Sequence, residues 1–590
     1  MSRAPRSWSP RLAVVLASIA IIVAACSGTT ASPSAGAPSE APTSQAPASE
    51  APQASANPNF QGQAYPESGE APCGTEDYSG LMKKITAIDE LTVEFQLCAP
   101  DPAFLPKVAF SVFGIWDSDY LAAHAPDKSY LTAPVGTGPY TVTEWTPGQR
   151  LVYAANPNYW DAANAAKTPG LEFRWSAEAA QRLIELQSGN VDGMDNPGTD
   201  DIATIQGDSS LQFNVREPLN TFYLGFNSTK APWTNEKIRQ AIAMGIDRQR
   251  IVDNFYPEGS EVATHFTPCN VPFGCEGDPT YDFDLAAAQA LLAEGMAEEG
   301  IDKITTKLQF RDAVRTYLPD PPQIATEIQS QLRDNLGIET ELDLQESGTF
   351  LDNNAAGKLD GIFMLGWGAD YPDPTNFLDY HFGAGSGKKF GKPFDDIAAA
   401  LTTGATTLDE AARQAAYAEA NSLIKQHAPA VIVAHGASGT AFKADVTGQH
   451  ASPLSNEVFS VMQAADRDNL VWVQNAEPLS LYCGDETDGE SLRACEQVNE
   501  ALYSYEVGGT TANPHLAREC TPNEDATTWT CTLQSGVQFS DGAALDANDV
   551  VTSYAAMWDT QHPLHIGRSG AFDYWPGLWG GFLNPPPPAS

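Results

Sequence analysis

Basic side chains are scarce in this sequence. The 590-residue chain carries 33 Lys and Arg against 75 Asp and Glu, a formal net charge of −42. Such a surface repels phosphate backbones and anionic headgroups, which argues against nucleic-acid binding and against docking on anionic lipid. Long apolar runs are also missing: beyond Leu12–Ala25, no stretch has the length and apolarity of a membrane span. Catalytic and metal motifs are lacking in the same way. There is no HExxH and no CxxC. The stretch "GAGSGKKFGK" (383–392) imitates a phosphate loop, but the first glycine of that pattern falls at Phe382 and Lys389 replaces the required Ser or Thr. "HGASG" from His435 is not a nucleophile elbow. "VDGMDNPGTDD" (191–201) lacks the ligand alternation and final Glu of a calcium loop, and "HPLH" (562–565) reads as a solvated turn. Among 75 acids, carboxylate pairs nominate no acid–base catalyst. The sequence therefore signals no enzyme class, no cofactor and no metal centre.

What is present begins at the N-terminus. Arg3, Arg6 and Arg11 precede the apolar run Leu12–Ala25, the layout of a signal peptide over residues 1–25. The run ends in "VAAC", and the small residues before Cys26 resemble a bacterial lipobox, which implies cleavage before Cys26 and a lipid on its thiol. Residues 26–59 are rich in Ala, Ser and Pro and lack large apolar side chains, so they are expected to form a disordered, fairly extended tether. The expected location is outside the cell, on the outer face of the cytoplasmic membrane, held by lipid alone.

With Cys26 set aside, eight cysteines remain, in sequence-adjacent pairs: Cys73 and Cys98, Cys269 and Cys275, Cys483 and Cys495, Cys520 and Cys531. An even count in an exported chain reads as disulfides. Nearest-neighbour pairing is one of 105 connectivities. Cys520 and Cys531 flank "TPNEDATTWT" and would face each other across a hairpin.

Residues from about 60 to 582 alternate strand-like runs with helices, an α/β pattern. A βαβ unit is predicted over 305–345. "TTKLQF" is its first strand, Asp320 caps a helix with Pro321 at the first position, and Ile324, Ile328 and Leu332 recur at the spacing of a packed face. Gly337 stops the helix and "ETELDL" is the next strand, with "GIFMLGW" from Gly361 as a third. Such units force parallel pairing. Further helices are predicted in "DLAAAQALLAEG" from an Asp284 cap, and over 408–429 up to Pro429. "VQFSDGAALDANDVVTSYAAMWD" (537–559) reads as a strand end, an Asp541-Gly542 turn and a helix capped by Asp546 with Asp549 complementing it. That unit needs sheet neighbours, yet only about thirty residues follow it. Open α/β sheets bind ligands beyond the carboxyl ends of their strands. Arg315 and Asp370 fall at such ends; together they would grip a zwitterion, unless each pairs within the protein.

Several stretches together resemble the dipeptide- and oligopeptide-binding proteins of ABC importers, the family 5 solute-binding proteins: "VGTGPYTVTEWTPGQRLVYAANPNYW" (135–160), "LGFNSTKAPWTNEKIRQAIAMGIDRQRIV" (224–252), "WGADYPDPTNF" (367–377), "EPLSLYCGDETDGES" (477–491) and "VQFSDGAALDANDVVTSY". Their order departs from the family's. The segments that open a family member stand here after residue 468, and 571–584 would run directly into 78–95. The resemblance thus implies a circularly permuted chain with the two-lobed, Venus-flytrap α/β fold of the large peptide-binding type. The first lobe is expected from 60–228 and 447–582, the second from 229–446, with a tail over 583–590. A strand near Leu91–Leu97 should then lie beside the hairpin ending near Leu533.

The resemblance implies a non-catalytic, monomeric protein that binds short peptides, works with importer membrane subunits and needs no cofactor. Oligosaccharides and metal chelates are the alternative ligands. Asp370 in "GADYPDP" matches the aspartate that takes a peptide's α-ammonium. Arg315 falls near the place of the carboxylate-binding arginine, with Arg311 as its competitor. Trp367 and Tyr371 are expected to line the site, and Phe572 and Tyr574 to face it from the other lobe.

Overall fold

The computed structural model describes residues 60–311 and 313–585. The signal segment, Cys26, the tether and the last five residues lie outside the described residues. Three sheets organise the chain into two lobes. The second lobe is built on a six-stranded sheet in the order Glu261–Val262, Ala430–His435, Asn220–Phe226, Ile362–Gly368, Thr305–Arg311, Glu339–Gln345. Strand Thr305–Arg311 pairs in parallel with both Glu339–Gln345 and Ile362–Gly368, as the βαβ reading requires. The helix between, Pro321–Leu336, starts at the Asp320 cap and ends at Gly337 in the left-handed conformation. Both faces of this sheet are covered. Phe222, Leu224, Ile362 and Met364 enter one apolar core, whereas Tyr223, Phe363 and Leu365 enter the other. Alternate side chains point to opposite faces, so strands covered on both sides read as unbroken apolar runs. Two helices differ from expectation at their ends. Leu285–Glu299 continues through Gly295 to a left-handed Gly300, because Gly295 packs against Ile238, where a side chain would collide. The other covers Glu410–His427.

The first lobe holds a seven-stranded sheet, Tyr140–Thr146, Arg150–Ala155, Gly170–Trp175, Asn469–Gln474, Gly193–Asp195, Ser438–Lys443, Leu211–Arg216, and a five-stranded one, Ala64–Tyr65, Met82–Asp89, Thr92–Leu97, Thr528–Leu533, Ala517–Pro522. In the latter, the two ends of the sequence share a ladder: Thr92–Leu97 pairs antiparallel with Thr528–Leu533, Val93 opposite Cys531. Helix Ala547–Trp558, with its Asp546/Asp549 capping box, lies on this sheet, and Tyr554 meets Phe95 edge-on at 5.0 Å. The chain near 580 also meets the chain near 80. Leu81 N donates to Trp579 O at 2.6 Å, and Ser79 Oγ to Gly580 O at 2.9 Å. The "GTGPY" segment docks on residues 497–499. Gly138 N donates to Val498 O at 2.7 Å, and a Cβ on Gly136 would stand 2.2 Å from the same oxygen, so glycine is needed for the approach. The neighbours that the 537–559 unit needs thus come from the start of the chain.

The four cysteine pairs are Cys73–Cys98, Cys269–Cys275, Cys483–Cys495 and Cys520–Cys531. The last bridges opposed residues of a hairpin. Among the described residues, no helix is long and apolar enough to cross a membrane.

The chain passes between the lobes twice. It leaves Leu211–Arg216 for Asn220–Phe226, and returns from Ala430–His435 to Ser438–Lys443. The crossings therefore fall at 217–219 and 436–437, earlier than the 228/229 and 446/447 boundaries read from sequence, because strand 220–226 hydrogen-bonds inside the second lobe's sheet and strand 438–443 inside the first lobe's. Asn220 ties the crossings together: Gly436 N donates to its Oδ1 at 2.9 Å and its Nδ2 donates to Gly436 O at 2.7 Å. A Cβ on Gly436 would lie 2.0 Å from Thr316 O, so only glycine fits. Just before the first crossing, Arg216 joins a buried charge network, reaching Asp195 at 2.9 Å and Glu457 at 2.6 Å. Arg493 reaches the same two carboxylates at 3.0 and 2.6 Å. Four charges that neutralise one another anchor the crossing rigidly to the first lobe.

Candidate functional site

Strand Ile362–Gly368 delivers Trp367 to its carboxyl end, and the loop "ADYPDP" follows. Asp373 pins this loop. Its Oδ1 accepts from Thr375 N at 3.0 Å and Thr375 Oγ1 at 2.7 Å, while Arg413 Nη2 reaches both its oxygens at 2.9 and 2.8 Å. Asn376, in the helical turn that follows, then organises the site. Its Nδ2 donates to Asp370 Oδ2 at 2.8 Å, and its Oδ1 accepts from Asp370 N at 2.9 Å and from Trp367 Nε1 at 3.2 Å. One amide thereby aims both the carboxylate and the indole.

Burial pushes the Asp370 carboxyl up to about 6, against a smaller opposing effect of the Asn376 hydrogen bond. No basic side chain among the described residues stands close enough to lower it. Its charge is felt by tyrosines of both lobes. Burial first, and then Asp370, raise the pKa of Tyr380 in the second lobe and of Tyr505 and Tyr574 in the first. Tyr505 is held by donating to Pro106 O at 2.7 Å, and Tyr574 meets Phe110 edge-on at 4.9 Å. Tyrosines of both lobes thus lie within electrostatic reach of a carboxylate that no basic side chain among the described residues compensates. Such a carboxylate attracts a cation that brings its own hydrogen-bond donors.

Trp367 stacks on Tyr380 with centroids 4.2 Å apart, and Lys389 Nζ lies 3.2 Å from the Tyr380 centroid on that ring's face. Tyr371 has a different place from the one expected. It is 4% exposed and packs into the first lobe's core, near Lys107 Nζ at 5.7 Å, and its Oη meets Thr375 Oγ1 at 3.0 Å. It joins the lobes rather than lining an open site. Phe572 is a correction: it is wholly buried in the first lobe, stacked on His565 at 4.2 Å. The cause is Asp485, which accepts from Ser569 N, Gly570 N and Phe572 N and draws that loop inward.

Nor does the structure bring Arg315 to Asp370. Arg315 is exposed in a turn closed against Leu318, and its Nη1 donates to Val314 O at 2.8 Å. Arg311 donates to Ser347 Oγ at 2.8 Å and Tyr317 Oη at 3.2 Å. Both fall short because the strand ends at Arg311 and its loop turns back on itself. His265 stands near Cys269 and Cys275, a grouping that would suit a metal, but those two sulfurs are bonded to each other. At the crossings a small cavity of about 110 Å³ is lined by Arg216, Asn220, Gly368 and Gly436.

The sequence model of the family described as "Bacterial extracellular solute-binding proteins, family 5 Middle" matches residues 45–389 and 511–571, more than half of the chain. The chain belongs to family 5 of the bacterial extracellular solute-binding proteins. It is 28% identical over 391 residues to the dipeptide-binding protein of Escherichia coli strain K12, covering 64% of this chain and 71% of that one. It is 27% identical over 391 residues to heme-binding protein A of Haemophilus influenzae, covering 64% and 69%. Among solved structures, HbpA2 from Haemophilus parasuis superposes with a TM-score of 0.59 at 27% identity, covering 65% of this chain and 76% of that one.

In this family 5 protein, sequence reasoning missed Asn376, Tyr380, Tyr505 and Lys389. Asn376 carried a signal, since it lies six residues after Asp370 in the same quoted segment. Lys389 was set aside with a failed phosphate loop. Tyr505 lies far from Asp370 in sequence, and nothing local marks it.

Proposed function

We propose that this protein captures short peptides outside the cell and delivers them to the membrane subunits of an ABC importer. The observation that carries the reading is Asp370: a carboxylate aimed by Asn376, without a basic partner among the described residues, and close enough to Tyr505 of the opposite lobe for its charge to be felt there. A peptide's α-ammonium supplies the missing charge and three N–H donors. The dipeptide-binding relative in Escherichia coli supports the same ligand class. The Asn220–Gly436 tie is the natural hinge. A ligand touching both lobes binds the closed arrangement better and so drives closure. The protein acts by binding rather than catalysis, as a monomer, anchored through a lipid on Cys26.

The chain order is part of the proposal. We read it as a circular permutation in which the first lobe is shared between residues after 60 and residues up to 582. The ladder between Thr92–Leu97 and Thr528–Leu533 and the contact of Trp579 with Leu81 support it. Permutation is tolerated where the former ends lie together.

The test is a melting-temperature screen with di- and tripeptides, joined to mass spectrometry of any ligand carried through purification. Peptides that bind should raise the melting temperature, and the shift should keep growing with the logarithm of peptide concentration above the dissociation constant. A panel of peptides without effect, with a sugar or chelate recovered instead, would refute the peptide reading. That second reading has its own support in the Trp367–Tyr380 stack, suited to a flat ring, and in the heme-binding relative.

A further inference from the structure

The bridge Cys269–Cys275 differs from the other three. It closes the shortest loop, with a sequence separation of 6 against 25, 12 and 11. Cys269 is the one exposed cysteine among the eight paired ones, and Cys275 is half-buried. A short loop gains least from closure, and an exposed sulfur is open to attack by a thiolate. This bridge is therefore the first that a reductant would open. Its loop does not rely on the bridge for its shape. Val271 N donates to Pro268 O at 3.1 Å and Gly274 N to Val271 O at 2.9 Å, two successive turns. Val271 is buried in the second lobe's core. Asn421 Nδ2, from the helix Glu410–His427, donates to Gly274 O at 3.3 Å and Glu276 O at 2.9 Å, and Asn270 Nδ2 donates to Pro218 O at 3.2 Å. The two cysteine Cα atoms stand 5.0 Å apart, and these contacts would keep them near that distance with the sulfurs parted.

An imidazole stands beside the bridge. His265 is 7% exposed, and one of its ring nitrogens lies within 4.8 Å of both sulfurs. Thr264 Oγ1 meets Nδ1 at 3.0 Å, but Nε2 is buried without a hydrogen-bond partner among the described residues. The ring has thus not spent both nitrogens inside the protein, and a buried polar atom left so is costly. Glu276 and Asp278 lie close enough for their negative charge to be felt at His265, with Lys425 opposing them.

We propose that His265, Cys269 and Cys275 bind a zinc ion once a dithiol reductant has opened the bridge. A thiolate of the reductant attacks Cys269 Sγ, the S–S bond breaks, and Cys275 leaves as a thiolate. The reductant's second thiol then displaces Cys269 and the reductant ends as a disulfide, so the protein gains two electrons and two protons. Zinc takes both sulfurs as thiolates, and those two protons pass to solvent. Two sulfurs on one zinc stand about 3.8 Å apart, given zinc–sulfur bonds of about 2.3 Å and tetrahedral angles, and rotation about the two Cα–Cβ bonds supplies that separation. His265 is the third ligand, and the exposed side of Cys269 leaves the fourth position to water. Thiolates with an imidazole favour zinc over oxygen-seeking calcium or magnesium. The bridge works as a gate: oxidised, the loop holds no ion, and reduced, it holds one. The site is independent of whatever the cleft binds.

The experiment uses the full chain. Graded treatment with a dithiol, followed by alkylation and peptide mapping, reads the order in which the four bridges open, and Cys269–Cys275 should be first. Protein reduced to that point and freed of dithiol without air is titrated with cobalt(II) and then with zinc. Wild type should show a thiolate-to-cobalt charge-transfer band that saturates at one ion per chain and that zinc erases, whereas the oxidised protein shows none. Cys269→Ser combined with Cys275→Ser should lack the band, and His265→Gln should bind zinc roughly tenfold or more weakly. Because His265 is buried and its substitution could disturb the fold, X-ray absorption of zinc-loaded, reduced wild type tests its part directly: sulfur neighbours at about 2.3 Å should be joined by an imidazole nitrogen at about 2.0–2.1 Å. Any of four results overturns the assignment: another bridge opens first, reduced wild type shows no band, the band persists in the double serine variant, or the zinc shell contains no imidazole.

Discussion

Replacing Asp370 by asparagine is expected to stabilise the empty protein while abolishing peptide capture. The change keeps an oxygen acceptor for Asn376 Nδ2, so the loop's local hydrogen bonding survives. What it removes is a buried charge. The Asp370 carboxyl titrates near 6 in the folded protein against an ordinary value of 3.8. Above pH 6 the group is charged in both folded and unfolded chains, and burial costs its full amount. Between 6 and 3.8 the folded state takes up a proton and the cost shrinks. Below 3.8 both states are neutral and it is gone. A displacement of about two pH units, at roughly 1.4 kcal/mol each, bounds the cost at about 3 kcal/mol, and partial solvent contact at Asp370 makes the realised gain smaller. The assay is calorimetric melting of ligand-free wild type and Asp370→Asn at pH 7.5, 5.5 and 4. The variant should melt a few degrees higher at pH 7.5, and the difference should fade on acidification. In the presence of peptide the ranking reverses, because losing one member of a buried charge pair costs about 2–5 kcal/mol of binding. A variant that melts lower at pH 7.5, or a gap that does not depend on pH, would refute the account of Asp370 as an uncompensated carboxylate.

Three further outcomes are expected. Arg413→Ala leaves Asp373 buried without its partner and should lose about 3–5 kcal/mol in denaturant unfolding, together with weaker ligand binding, since Asp373 pins the loop that carries Asp370. Removing the Cys520–Cys531 bridge by double alanine substitution opens a loop of sequence separation 11 and should cost about 2–3 kcal/mol, read from the same unfolding curves under non-reducing conditions. At His427, burial opposes the charged form, but hydrogen bonds with Asp396 and Glu236 outweigh it and hold the pKa above the usual histidine value. That stabilisation is complete below the unfolded value, about 6.5, and is lost as pH rises through the folded value. Wild type should therefore exceed His427→Gln in stability at pH 5.5, with the gap closing at higher pH; a constant gap would count against the pairing.

Much of the architecture was legible because its causes are local. The Asp546/Asp549 capping box spans four residues, and its hydrogen bonds depend on nothing outside them. The parallel unit from Thr305 to Gln345 announces itself by an Asp-Pro start, a four-residue apolar spacing and a glycine stop. Cys520 and Cys531 meet because a short hairpin leaves them opposite each other. Even the meeting of Thr92–Leu97 with Thr528–Leu533 was anticipated, from the order of whole segments rather than from any residue within them.

The site itself was legible only in part. Asp370 and Trp367 are nominated by one short segment that carries both, and the structure joins them through Asn376. Their orientation waits on Asn376, whose role appears only once the chain turns after Pro374. Phe572 reads from sequence as an aromatic free to face a ligand, and only the three amides gathered by Asp485 bury it. Tyr505 and Tyr574 of the other lobe feel the charge of Asp370 across a large sequence separation, and Lys389 meets Tyr380 because Phe390 is anchored by Ser228, some 160 residues away in sequence. Caps, periodicity and turn chemistry act over a few residues, so the sequence by itself determined the elements, the family likeness and the acidic, cysteine-paired character of the chain. Which charges stay unpaired, and which rings stand opposite them, depends on packing between distant segments, and that only the tertiary structure decided.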